Sequence, residues 1–245
     1  DNWDQLVKKV KGRGFTKNQI SQSGLFTLSE KGIFDRFRSR IMFPIFHPSG
    51  KPIAFGGRIF NHDDPAKYLN SPETPLYHKG STLYGLQATR DSIRKNGSAI
   101  LVEGYMDFLK LYQGSITNIL AISGTAFTKE HTYSLHRITK KVVLLYDGDD
   151  AGANAVIKAG WVLLKGDLDP LVVRPPNGLD PDDWIDKVGK KGVQQSILNP
   201  KSYINFNILF HKGDMLKGAD RKEYIIYLAK EIKNIDDGIV QNDLV

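Results

Sequence analysis

The chain has 245 residues, 40% hydrophobic and 25% charged, and it contains no cysteine. These are ordinary globular values, with length enough for one large domain or two modest ones. No apolar run approaches the ~18 residues of a membrane helix, and disulfides, thiolate zinc sites and a cysteine nucleophile are excluded within these residues.

The net charge of +7 is unevenly spread. Residues 1–97 hold 16 Lys and Arg against 8 Asp and Glu, residues 98–200 hold 11 against 12, and residues 201–245 hold 7 against 7. A basic excess confined to the first part fits a polyanionic partner such as nucleic acid, or else a solvated basic surface. The opening "DNWDQLVKKVKGRG" lacks the apolar core of a signal peptide. Together with the missing cysteines this points to the cytoplasm, and a start without Met reads as that of a fragment.

Taken in order, residues 1–34 read as polar helix, with Leu6, Val7 and Val10 as apolar positions. "RIMFPIF" and "PIAFGGRIF" read as a β-hairpin turned by "HPSGK". "NHDDPAKYLNSPETPLYHKGS" has three prolines and no period, so it is expected to be a long loop, of the kind that is functional or disordered. "TLYGLQATRDSIRKNG" is expected to be a helix closed by Gly97. From residue 98 strands alternate with helices: "SAILVEG", "ITNILAISG", "KKVVLLYDG" and "DPLVVRPP" are short apolar strands, with "YMDFLKLYQG", "TKEHTYSLHRI" and "DDAGANAVIKAGWVLLKG" as helices between them. That pattern predicts an α/β fold with a parallel sheet covered on both faces. "KSYINFNILFHKG" and "DRKEYIIYLAKEIKNI" complete the chain as helices. The expected division is a basic α+β part (1–97), a parallel-sheet domain (98–200) and a helical part (201–245).

Ligands of parallel sheets bind beyond the carboxyl ends of the strands. There the first strand runs into Glu103, the second into Ser123–Thr125, the third into Asp147 and Asp149, and the fourth into Asp180, Asp182 and Asp183. Carboxylates converging without His or Cys form a hard-oxygen site suited to Mg²⁺ or Mn²⁺, ions that serve phosphate chemistry. For a single acid, helix capping is the competing role, with Asp150 and Asp182 as candidates. No G-x-x-x-x-G-K-[ST] and no G-x-G-x-x-G after a strand is present, so neither a P-loop nor a dinucleotide fingerprint is expected.

"LVEGYMD" and "LLYDGDDAG" resemble the Toprim domain, whose pattern is a Glu after one strand and Asp-x-Asp after a later one. "FDRFRSRIMFPIFHPSGKPIAFGGRIF", "AKYLNSPETPLYHKGSTLYGL", "VEGYMD" and "YDGDDAG" stand in the order seen in bacterial DnaG-type replicative DNA primases, and the resemblance runs from about Phe34 to Trp184. "SGTAF" replaces a variant of "SLGTA", and "HDDPAK" is slightly longer than the family pattern.

The resemblance implies an RNA polymerase core that makes primers on single-stranded DNA. Glu103, Asp147 and Asp149 would be catalytic, and with Asp180 and Asp182 would hold Mg²⁺ or Mn²⁺. Gly104 and Asp107 would stand behind them. Arg58, Lys67, Tyr68, Asn70 and Lys79 would meet nucleotide or phosphate, and Arg38 and Arg40, alternating along a strand, the template. An exposed charged edge is the other reading of Arg36, Arg38 and Arg40, and Tyr68 either stacks a base or packs. Implied partners are single-stranded DNA, NTPs, an RNA–DNA hybrid and, through regions outside these residues, the replicative helicase and single-strand-binding protein, with no membrane. Zinc would belong to an N-terminal domain that these residues lack. A Toprim nuclease, an aspartyl phosphatase built on Asp147 and a non-catalytic nucleic-acid module are the alternatives.

Overall fold

The computed structural model describes residues 3–30, 32–60, 65–176, 178–212 and 215–243. The chain forms two compact units, Asp1–Thr82 and Leu83–Val245. The expected boundary at 97 and the separate part from 201 do not coincide with this division.

In the first unit, α1 (Gln5–Lys11) and α2 (Lys17–Gln22) supply the expected polar helix. Thr16 and Gln19 close a capping box on α2. The helical reading fails after Gln22: β1 (Phe26–Ser29) and β2 (Gly32–Asp35) form an antiparallel hairpin. Gly24, at φ +70°, ends the helical path, and a Cβ there would come within 2.9 Å of Thr74. Asp35 in β2 accepts from the backbone N–H groups of Leu6 and Val7 at 2.7 and 2.9 Å. A remote carboxylate thus caps the start of α1, where the local Asp4 makes no side-chain cap. Val7, Ile20 and Phe26 bury together beneath these elements.

The expected hairpin is β3 (Arg40–Phe46) with β4 (Pro52–Ile59), in antiparallel register from Arg40↔Ile59 to Ile45↔Ala54. The long stretch after it is less irregular than expected, because β5 (Tyr68–Asn70) pairs with Gly56–Arg58 and a short 3-10 turn occupies Lys79–Ser81. A three-residue edge strand is too short to show a period of two. Residues 61–64, which include the extra residues of "HDDPAK", lie outside the described residues.

In the second unit, α3 (Leu86–Asn96) ends at Gly97 with φ +66°, a left-handed C-cap. There follow β6 (Ser98–Val102), α4 (Tyr105–Gln113), β7 (Ile119–Ala121), α5 (Lys129–His136), β8 (Lys141–Leu144), α6 (Asp150–Lys165), β9 (Asp169–Val172), α7 (Pro181–Ile197), β10 (Lys201–Ser202), α8 (Tyr203–Phe210), α9 (Gly218–Lys233) and α10 (Gly238–Asp243). The sheet order is β10-β9-β8-β6-β7. The four expected strands are parallel, and β10, unforeseen, adds an antiparallel edge. Alternate residues of the central strands enter opposite layers. Leu101, Val142 and Leu144 pack with α3, α5, α6 and α8. Ile100, Val102 and Val143 pack with Phe108 and Leu111 of α4 and Trp184 and Ile185 of α7. α7 was not expected, since Gly189 at φ +68° breaks its helical path and blurs the period.

The C-terminal helices α8 and α9 pack on α6. Tyr203 donates to the Ile157 carbonyl at 2.7 Å, and the Trp161 indole donates to Tyr227 of α9 at 2.7 Å. Gly160 permits that approach, because a Cβ there would lie 2.0 Å from the Tyr203 ring. Ala in a free helix position would stabilise by about 1 kcal/mol, whereas overpacking a buried ring costs about 1–3 kcal/mol or more. Gly160→Ala is therefore expected to lower stability in denaturant unfolding, despite its better helix propensity.

Candidate functional site

Parallel pairing puts the carboxyl ends of β6, β8 and β9 on one rim, with Leu101 opposite Leu144 and Leu144 opposite Val172. Glu103 follows β6, Asp147 and Asp149 follow β8, and Asp180 and Asp182 follow β9. The segment from Asp147 to Asp149 is held tightly. The Gly148 N–H donates to the Leu179 carbonyl at 2.8 Å, and Arg174 donates through Nη2 to the carbonyls of Gly148 at 2.9 Å and Asp149 at 3.1 Å. A Cβ on Gly148 would stand 2.4 Å from the Pro176 carbonyl oxygen, and one on Gly152 would stand 2.3 Å from that of Asp147. Glycine is thus required on both sides of Asp149 by close backbone approach rather than by turn conformation. The result brings the Asp147–Asp149 turn against the segment that leads to Asp180.

The acids lie in one another's field. Burial, reinforced by the Asp147 and Asp149 charges, pushes Glu103 up to about 7, against the pull of the Asp147 backbone N–H. Asp107 is also pushed up to about 7, first by burial and then by Asp147, Asp180 and Asp182, although the Gly104 N–H opposes this. Asp147 is raised by burial, then by Asp180 and Asp149. Burial likewise raises Asp182, while Lys110 draws it down. Among the described residues, Glu103 Oε1 is buried without a hydrogen-bond partner. A buried carboxylate oxygen left unpaired is costly, so such a group calls for a ligand.

Two acids also cap helices, and they are not those expected to. Asp149 accepts from Gly152 N–H at 2.7 Å and caps α6, whereas Asp150 is the first helical residue. Asp180 accepts from Asp183 N–H at 2.6 Å and caps α7, whereas Asp182 sits inside its first turn. The last non-helical residue presents its oxygen to the open N–H groups, and this places the cap one or two positions earlier than expected. Asp107 accepts from the Gly104 N–H at 2.9 Å through Oδ2, securing the start of α4 beside Glu103.

Among the described residues no three acids or histidines are already arranged to hold one ion. Mg²⁺ does not demand that: it is bound through one or two carboxylates, retains waters and takes phosphate oxygens from substrate. The all-oxygen donor set, the raised carboxylates and the unpaired Glu103 Oε1 fit such an ion.

In the first unit, the alternation expected of Arg38 and Arg40 does not occur. Arg38 lies between β2 and β3, and Ser39, at φ +50°, turns the chain before Arg40 begins β3. The Arg38 guanidinium lies 4.1 Å over the Trp3 ring and donates to the Asp35 carbonyl. Arg40 donates to the Ala66 carbonyl at 2.9 Å, and Arg36 donates to that of Asn70 at 3.0 Å. All three arginines therefore tie backbone segments together. Arg58 in β4 is paired opposite Tyr68 in β5, with Lys67 beside it, its ammonium 6.0 Å from the Tyr68 ring. Lys79 donates its backbone N–H to Glu73 at 2.9 Å.

Sequence reasoning missed Arg174, which braces the Asp147–Asp149 turn, and Lys110 on α4, which lies 3.6 Å from Asp182 and 2.6 Å from Asp186. The signal for Lys110 was its place three residues after Asp107 on one helix face.

Two families match the chain. One described as the DNA primase catalytic core, N-terminal domain, covers residues 1–90, and one described as Toprim-like covers residues 100–185. A DNA primase of Clostridium acetobutylicum is 37% identical over 239 residues, which are 96% of this chain and 40% of that protein. The chain spans about 40% of the length of the curated relatives it matches. A DNA primase domain from Pseudomonas aeruginosa superposes with TM-score 0.89 at 32% identity, covering 99% of this chain and 78% of that one. A DnaG primase catalytic domain bound to single-stranded DNA superposes with TM-score 0.87 at 32% identity, covering 99% and 78%.

In the absence of divalent ions, Glu103 keeps a proton in the folded chain from 4.5, its ordinary value, up to about 7. The unfolded chain releases that proton near 4.5, so folding stability falls as pH rises through this window. Glu103→Gln is therefore expected to raise the unfolding midpoint in EDTA at pH 8 by about 3 °C, after allowance for solvent screening. The gain should vanish at pH 4, and thermal scans at both pH values check it.

Proposed function

Because this chain belongs to the family of DnaG-type DNA primase catalytic cores, with that family's N-terminal core domain joined to a Toprim domain, we propose that it carries the polymerase chemistry of primer synthesis. It would join ribonucleotides on a single-stranded DNA template during cytoplasmic replication. The observation that carries this reading is the rim shared by Glu103, Asp147 and Asp180, reached from three parallel strands, where burial and neighbouring carboxylates raise Glu103 and Asp147.

Glu103, Asp147, Asp149, Asp180 and Asp182 are the residues that would hold Mg²⁺ or Mn²⁺. When bound, such ions neutralise a triphosphate and favour ionisation of an attacking hydroxyl. The chain's own contributions follow from its geometry. Glu103 is the chain's own candidate to take the proton of the primer 3′-hydroxyl, through the carboxylate oxygen that an ion would leave free, as the hydroxyl oxygen attacks the α-phosphorus and pyrophosphate departs. Asp149 and Asp180 each commit one oxygen to a helix cap, which fixes the direction of the other. Asp107 and Gly104 hold the turn that carries Glu103.

In the first unit, Arg58, Lys67, Tyr68, Asn70 and Lys79 are the proposed nucleotide and phosphate contacts. Arg58, Lys67, Tyr68 and Asn70 gather on paired β4 and β5 and the residue before them. Arg38 and Arg40 remain the proposed template contacts, each with its guanidinium already anchored to a backbone carbonyl. The helicase and single-strand-binding protein would be met by regions beyond these residues.

Incubation with single-stranded template, NTPs and Mg²⁺ should yield short RNA, whereas cut template would identify a nuclease instead. Asp147→Asn and Asp149→Asn should each reduce primer synthesis by about 100-fold or more. Asn caps helices as well as Asp does, so Asp149→Asn should keep α6 and an unchanged far-ultraviolet circular dichroism spectrum. Normal synthesis by either variant would overturn the assignment. Arg58→Ala and Lys67→Ala should weaken nucleotide or template binding and each reduce the slope of log affinity against log salt by roughly one, as fluorescence anisotropy with labelled nucleotide and labelled template would report.

A further inference from the structure

We infer that Lys110 is a built-in competitor for divalent metal at Asp182, and that Asp186 governs this competition by holding the Lys110 ammonium off the acid rim. The inference rests on the metal reading of that rim. Asp182 and Asp186 are one turn apart on α7 and share a face. Lys110 reaches them from α4, which packs on α7.

The two distances are unequal in a telling way. Lys110 Nζ lies 2.6 Å from Asp186 Oδ2, a direct charged hydrogen bond, but 3.6 Å from Asp182 Oδ1, an ion pair without one. The ammonium therefore sits on the solvent-side partner, Asp186, whose side chain is 63% exposed, and only leans toward Asp182, which is 24% exposed. A cation at that position repels a second cation arriving at Asp182, and it also neutralises part of the charge that would bind it. If Asp186 is lost, the nearest remaining carboxylate within reach of Lys110 is Asp182. The pair thus sets how strongly this end of the rim binds metal relative to the end at Glu103 and Asp147, which Lys110 is not seen to contact.

The test is Mn²⁺ binding by the whole chain at fixed ionic strength, read from the electron paramagnetic resonance signal of the free ion, with no catalysis involved. Lys110→Gln should tighten binding by about five-fold, and Asp186→Asn should weaken it by about three-fold, magnitudes set by one unit charge a few ångströms from the ion in a partly hydrated site. A field effect of either charge would give the same signs, so the deciding measurement is the double variant. If Asp186 acts through Lys110, Asp186→Asn should leave Mn²⁺ affinity unchanged in the Lys110→Gln background. An equal loss with and without Lys110 would reduce Asp186 to a distant charge and overturn the inference. Unchanged affinity in both single variants would make the ion pair a plain tie between helices, which also overturns it. A parent chain that binds no Mn²⁺ would instead sink the metal reading itself, and this inference with it.

Discussion

Everything at the rim depends on one constraint: β6, β8 and β9 run parallel and in register, so the chain leaves each of them on the same side of the sheet. The pairing is enforced by burial on both faces. Leu101 and Leu144 point into one apolar layer while Ile100 and Val143 point into the other. A slip of one residue would exchange the two sets and misplace every side chain in both layers. The hydrophobic core therefore aligns carboxylates that the sequence spreads from Glu103 to Asp182, although it makes no contact with their function.

The aligned acids are then left in an unfavourable state that the fold sustains. Burial is the largest cause of the upward shift at Glu103, Asp107, Asp147 and Asp182, and mutual repulsion adds to it. The scaffold restrains that repulsion with backbone contacts. Gly148 and Gly152 let carbonyl oxygens approach closer than any side chain would allow. Arg174 clamps two carbonyls of the same turn, and Asp149 and Asp180 are fixed by the helices they begin. An acid that caps a helix is often set against an acid that binds a ligand, but here one side chain has oxygens for both.

The basic first unit follows a different logic. Arg36, Arg38 and Arg40 were legible as positive charge, and their surroundings were not. A single residue at positive φ, Ser39, breaks the alternation and directs Arg38 over Trp3 and onto Asp35. Likewise the helix expected through residue 34 gave way to a hairpin, because Asp35 caps α1 from 28 residues away and the small apolar set of Val7, Ile20 and Phe26 needs both elements to close.

From the sequence alone came the parallel α/β sheet, the β3–β4 hairpin, the Gly97 cap and the set of acids at the strand ends. All of these are local: they depend on apolar runs of a given length, on turn residues, and on which residue follows a strand. Tertiary structure alone decided which acids cap helices, that α7 and the short strands β5 and β10 exist, and that Lys110 and Arg174 attend the rim. The short strands and the two cations depend on atoms brought within a few ångströms from distant segments, whereas the caps and α7 turn on where a helical path begins and breaks. A period or a motif describes neighbours along the chain and holds no information about neighbours across it.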